Sequence, residues 1–131
     1  MMKKRVVALI ALLMSGLGVA PLALAGGSLD GKTFTGVVGQ KGKTEGQADD
    51  LVFQGNQFES TLCRNFGYGT GAYTTTAKGD AVAFNAETTS AAGGKMKWEG
   101  TVKGNAIEGK VLSAEKGATS EMWFKGTLKK S

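Results

Sequence analysis

The chain has 131 residues, of which 41% are hydrophobic and 21% charged, with 21 glycines, one proline, one cysteine and no histidine. The missing histidine removes the usual general base, the commonest metal ligand and every Ser-His or Cys-His nucleophilic system. One cysteine cannot form an intrachain disulfide, a Cys-x-x-Cys redox pair or a c-type haem attachment. These absences argue against an enzyme, and no catalytic residue is assigned.

The first 25 residues read as a secretory leader. Met1-Met2-Lys3-Lys4-Arg5 is a positive start, an apolar run begins at Val6, and Ala23-Leu24-Ala25 supplies an Ala-x-Ala cleavage site. Ser15, Gly16 and Gly18 interrupt the run, which falls short of the ~20 apolar residues of a membrane span. The expectation is an exported chain, periplasmic or secreted, with residues 26–131 as one domain and no stable membrane insertion. Removing Lys3, Lys4 and Arg5 from the 16 basic residues leaves 13 against 11 acidic ones, net +2. Lysines and glutamates then alternate without a stripe of one sign, which argues against nucleic acid as a partner.

Beyond the leader, the dominant period is two. The first expected strand covers 32–38, and the polar stretch Gly39–Gln47 with Asp49-Asp50 reads as solvated loop before a second strand at 50–54. The acidic pair has no calcium-loop spacing to recommend it as a metal site. Gly55-Asn56 offers the positive φ angles of a tight turn, and a third strand follows over 57–63. Strands at 72–77 and 81–88 flank Gly79-Asp80. The clearest alternation is Lys95 to Lys103, where Met96, Trp98, Gly100 and Val102 share one face. Gly104-Asn105 joins it to a strand over 106–114, and the last strand covers 120–129.

Phe34-Thr35-Gly36-Val37-Val38, Trp98-Glu99-Gly100-Thr101-Val102 and Phe124-Lys125-Gly126-Thr127-Leu128 share a pattern, with Ile107-Glu108-Gly109-Lys110-Val111 a looser copy. Each glycine falls in the inward register, where a missing side chain lets a strand bend sharply. Matched bends close a small barrel, and closure removes sheet edges that this proline-free stretch could not otherwise protect. The expected fold is therefore all-β, an eight-stranded antiparallel up-and-down barrel. Its core would hold Phe34, Val38, Leu51, Phe53, Phe58, Leu62, Val82, Phe84, Met96, Trp98, Val102, Ile107, Val111, Met122, Phe124 and Leu128. That many large side chains point to a filled or nearly filled interior.

The eight short strands, with Trp98-Glu99-Gly100-Thr101-Val102 and the closing Trp123-Phe124-Lys125-Gly126-Thr127-Leu128, resemble small exported bacterial proteins of lipocalin-like (calycin) type. Phe34-Thr35-Gly36 stands where typical lipocalins carry Gly-x-Trp. The resemblance implies a non-enzymatic barrel that binds a small ligand. Gly71-Ala72-Tyr73 and Ala77-Lys78-Gly79-Asp80 bear a fainter similarity to periplasmic lysozyme inhibitors of the small-barrel type, which implies a protein partner in the envelope.

The candidate site is the glycine-rich connection from Cys63 to Tyr73. It gathers Cys63, Arg64, the one arginine beyond the leader, and the aromatics Phe66, Tyr68 and Tyr73. These residues would either line a barrel mouth, with Arg64 meeting an anionic group, or plug the barrel end as a lid with Arg64 in solvent. The expected partner is a small apolar or amphipathic ligand, or an envelope protein engaged by the same loop. Gly67-Tyr68-Gly69-Thr70-Gly71 lacks the Lys-Ser/Thr and the helix of a phosphate loop. No cofactor or metal is assigned: Cys63, Met96 and Met122 are soft enough for copper, but both methionines fit the core register.

Overall fold

A computed structural model of the protein describes residues 28–129; the expected leader lies outside the described residues. Eight strands run in chain order around one closed antiparallel barrel: β1 (Thr33–Gln40), β2 (Gly46–Gln54), β3 (Gln57–Ser60), β4 (Gly71–Lys78), β5 (Ala81–Thr89), β6 (Lys95–Lys103), β7 (Ala106–Glu115) and β8 (Ala118–Leu128). A single helical turn, α1 (Thr61–Arg64), follows β3. The expected up-and-down barrel is the fold of the protein.

Local chemistry explains the path. Gly55 and Asn56 both take positive φ, 59° and 66°, which gives the β2–β3 turn the twist of its flanking strands. The four motif glycines meet as two cross-strand pairs, Gly36 opposite Gly126 and Gly100 opposite Gly109. A Cβ on Gly109 would stand 2.1 Å from the Glu99 carbonyl and 2.7 Å from the Phe124 ring, so only hydrogen fits there. The recurring motif thus marks where neighbouring backbones crowd together, against backbone alone at Gly36 and Gly126 and over the Phe124 ring at Gly100 and Gly109.

The interior is filled. Phe34, Phe53, Phe58, Phe84, Trp98 and Phe124 are all buried. Phe53 is the hub, with ring centroids 5.2 Å from Phe58, 4.9 Å from Tyr73 and 5.1 Å from Phe84. Trp98 links Phe58 at 4.9 Å to Phe124 at 5.3 Å. Such edge-on and tilted rings add to the stabilisation that burial alone provides.

Several boundaries differ from expectation. β3 stops at Ser60 rather than 63, because the Ser60 side chain accepts from the Cys63 N–H and caps α1. Leu62 therefore sits half-buried on α1 instead of in a strand, and Val82, Met122 and Leu128 pack against the core while remaining partly exposed. β1 runs on to Gln40 and β2 begins at Gly46, which leaves a short loop where a long one was expected.

Candidate binding site at one end of the barrel

The two ends of the barrel are built differently. One end carries the N-terminal segment with the β2–β3, β4–β5 and β6–β7 turns. Leu29 covers it from above, fully buried. The Tyr73 hydroxyl donates to Asp30 Oδ1 at 2.7 Å and accepts from the Leu29 N–H at 3.2 Å. Asp30 in turn accepts from the Asn56 N–H at 3.0 Å. This network is a lid.

The opposite end carries α1, the β1–β2 loop and the β5–β6 and β7–β8 turns. Asp49 holds α1 in place and is only 4% exposed, so it is not the solvated charge the sequence suggested. Its carboxylate accepts from Ser60 Oγ at 2.5 Å, from the Leu62 N–H at 3.0 Å and from Thr61 Oγ1 at 3.3 Å. Burial pushes the Asp49 carboxyl above its ordinary value, against the opposing pull of these three donors; the neighbouring Asp50 charge adds to the rise. A buried carboxylate is tolerable here because its oxygens are satisfied.

Beside α1 lies a recess of about 290 Å³, lined by Val38, Leu62, Cys63, Phe66, Met96 and Met122, with Gln40, Glu45 and Gln47 among its polar members. It lies just below the usual range for ligand pockets, roughly 300–1,000 Å³. Its apolar wall and polar rim suit a short hydrocarbon with a polar head. Cys63 is buried, and its thiol donates to Met96 Sδ at 3.5 Å. Desolvation raises the Cys63 thiol, the nearby Asp49 charge raises it further, and the hydrogen bond with Ser60 works the other way. The group is a thiol at neutral pH rather than a reactive thiolate.

The five residues picked from the sequence do not gather in one place. Cys63 and Phe66 line the recess. Tyr68 is buried at the same end, bridged to Ser90, with its hydroxyl against Gly94. Arg64 turns away and forms a fork with Glu59, Nη2 to Oε1 at 2.6 Å and Nε to Oε2 at 3.0 Å. That hydrogen-bonded pairing lowers the Glu59 carboxyl and raises the Arg64 guanidinium. Tyr73 belongs to the lid at the far end. From sequence, Val38 reads as core, and Met96 and Met122 fit the core register better than a soft metal site with Cys63; all three occupy inward positions near the same ends of β1, β6 and β8. Counting register from the turns would have placed them together.

A wider depression, about 840 Å³, crosses the outer face near Trp123, Glu99, Glu108, Lys110 and Lys125. It is the poorer candidate site despite its size. It is shallow and open, and its charges already face one another across strands, Glu99 opposite Lys110 and Glu108 opposite Lys125. Trp123 is tied down there, its indole donating to the Gln40 and Lys43 carbonyls at 3.0 and 2.8 Å.

Fold and site together define a small, filled, up-and-down β-barrel with one lidded end and one recessed end. Comparison with family models, with curated proteins and with solved structures gives no match to this chain.

Proposed function

We propose that the protein is an exported, non-enzymatic binding barrel of lipocalin-like type that takes a small apolar or amphipathic ligand at its recessed end. The observation that carries this reading is the apolar recess walled by Val38, Leu62, Cys63, Phe66, Met96 and Met122. Because aromatic rings fill the barrel below it, the ligand enters shallowly, by a chain end or a single ring. Gln40, Glu45 and Gln47 would meet its polar head. Export rests on the leader pattern of residues 1–25, and the non-enzymatic part on the histidine-free inventory.

A second reading has its own support. Phe66 is 67% exposed at the rim of the recess, a large apolar side chain held out on a short connection. An envelope protein would use such a side chain as an anchor, as aromatic hot spots do at interfaces. Native mass spectrometry of the protein recovered from the cell envelope, without reductant, tests the first reading. The expected result is a chain starting at Gly26 that carries a small adduct lost on denaturation. A bare chain that also shows no response to added octanol overturns it and leaves the protein-partner reading.

A further inference from the structure

Beyond residue 25 the sequence holds three sulfur-bearing side chains, Cys63, Met96 and Met122. All three line the same recess, although α1, β6 and β8 deliver them from distant parts of the chain. Cys63 Sγ and Met96 Sδ are 3.5 Å apart. Two sulfurs sharing one ion at a zinc-like distance of about 2.3 Å each stand about 3.8 to 4.0 Å from one another, so this pair must open by at least a few tenths of an ångström, and further for the larger Ag(I). Met122 is half-buried, so the recess is reachable from solvent at its wall.

We infer that the sulfur-bearing wall of the recess is a binding site for one soft monovalent cation, Cu(I) or Ag(I), held by Cys63 Sγ and the thioethers of Met96 and Met122. Thiolate and thioether donors select such ions over hard, oxygen-seeking cations. On binding, a metal–Sγ bond forms and the thiol proton leaves to solvent. The two thioethers donate lone pairs, and no electron changes hands. Among the described residues no group of three or more His, Cys, Asp or Glu competes for the ion. Plain packing is the alternative, since methionine fills irregular gaps in cores. Packing explains Met96 against Cys63; it does not require the one other methionine beyond residue 25, Met122, to line the same recess.

Leucine separates the two accounts, because Met→Leu keeps the volume and removes the donor. The protein as recovered from the cell is titrated with silver nitrate in chloride-free buffer without reductant, followed by native mass spectrometry, calorimetry and methionine methyl NMR. One silver per chain should bind with loss of one proton, and the methyl signals of Met96 and Met122 should both shift. Met96→Leu and Met122→Leu should each weaken silver by about tenfold or more, the scale of losing support at a metal site. Unmoved methyl signals, or either leucine variant binding silver as tightly as the wild type, would overturn the site and leave only a thiol that scavenges metal. The inference does not rest on the apolar reading. Octanol titrated into the same metal-free samples tests that reading by itself, so each can fail alone.

Discussion

The two ends of this barrel solve the same problem with different materials. At the lidded end, polar groups close the gap: Tyr73, Asp30, the Leu29 N–H and the Asn56 N–H satisfy one another above the aromatic core. At the recessed end, the polar groups anchor α1 instead: Asp49 and Ser60 are buried, and Asp49 accepts from Ser60, Thr61 and the Leu62 N–H. That leaves an apolar concavity beside α1 instead of a seal. The contrast shows how a filled barrel keeps an open hollow at one end: hydrogen bonds hold α1, and sulfur, aliphatic and aromatic groups line the recess beside it.

The comparison can be broken most severely from the middle. Trp98→Ala removes the ring that joins Phe58 to Phe124 and should cost about 3–5 kcal/mol of unfolding free energy in urea titrations. Asp49→Ala should cost less, about 1–3 kcal/mol, because it strands the Leu62 N–H and the Ser60 hydroxyl. Its signature is local: amide exchange should quicken in α1 while the Tyr73 end stays protected.

Asp49 also predicts a pH dependence. Its carboxyl lies above the ordinary 3.8 in the folded protein, so between the two values the folded state holds a proton that the unfolded chain has released. Its contribution favours folding fully below the unfolded value and is lost as pH rises through the folded one. Asp49→Asn should flatten the stability profile across that window, read from unfolding midpoints at stepped pH.

Smaller effects sharpen the contrast. Tyr73→Phe removes a hydroxyl from the lid and should cost about 1–2 kcal/mol while leaving octanol binding at the far end unchanged in calorimetry. Arg64→Ala sits at the bottom of the scale. Its fork with Glu59 is in solvent, and exposed pairs contribute little, so thermal unfolding should be indistinguishable from wild type.

The barrel was legible because each strand has one wet and one dry face, so Met96, Trp98 and Val102 declare their side by alternation alone. The glycine motif was equally readable, since a close approach of neighbouring backbones needs the same residue each time. What escaped depended on partners distant in sequence. Asp49 looks solvated until Ser60 and Thr61 fold back onto it across the β2–β3 hairpin. The end of β3 was hidden because Phe58, Ser60 and Leu62 continue a period of two. Ser60 as a helix cap was the one local signal that could have revealed it. Proximity in sequence misled at the site. Tyr68 and Tyr73 are five positions apart, but β4 runs away from α1 and carries Tyr73 to the opposite lid.

The central claim is that this barrel binds at one end and is solid elsewhere. NMR titration of the full protein with octanol tests it most directly. The account predicts saturable shifts confined to Val38, Leu62, Phe66, Met96 and Met122, with Phe53, Tyr73 and Phe84 unmoved. Shifts centred on Phe53 and Phe84, or none at saturation with octanol, would contradict it.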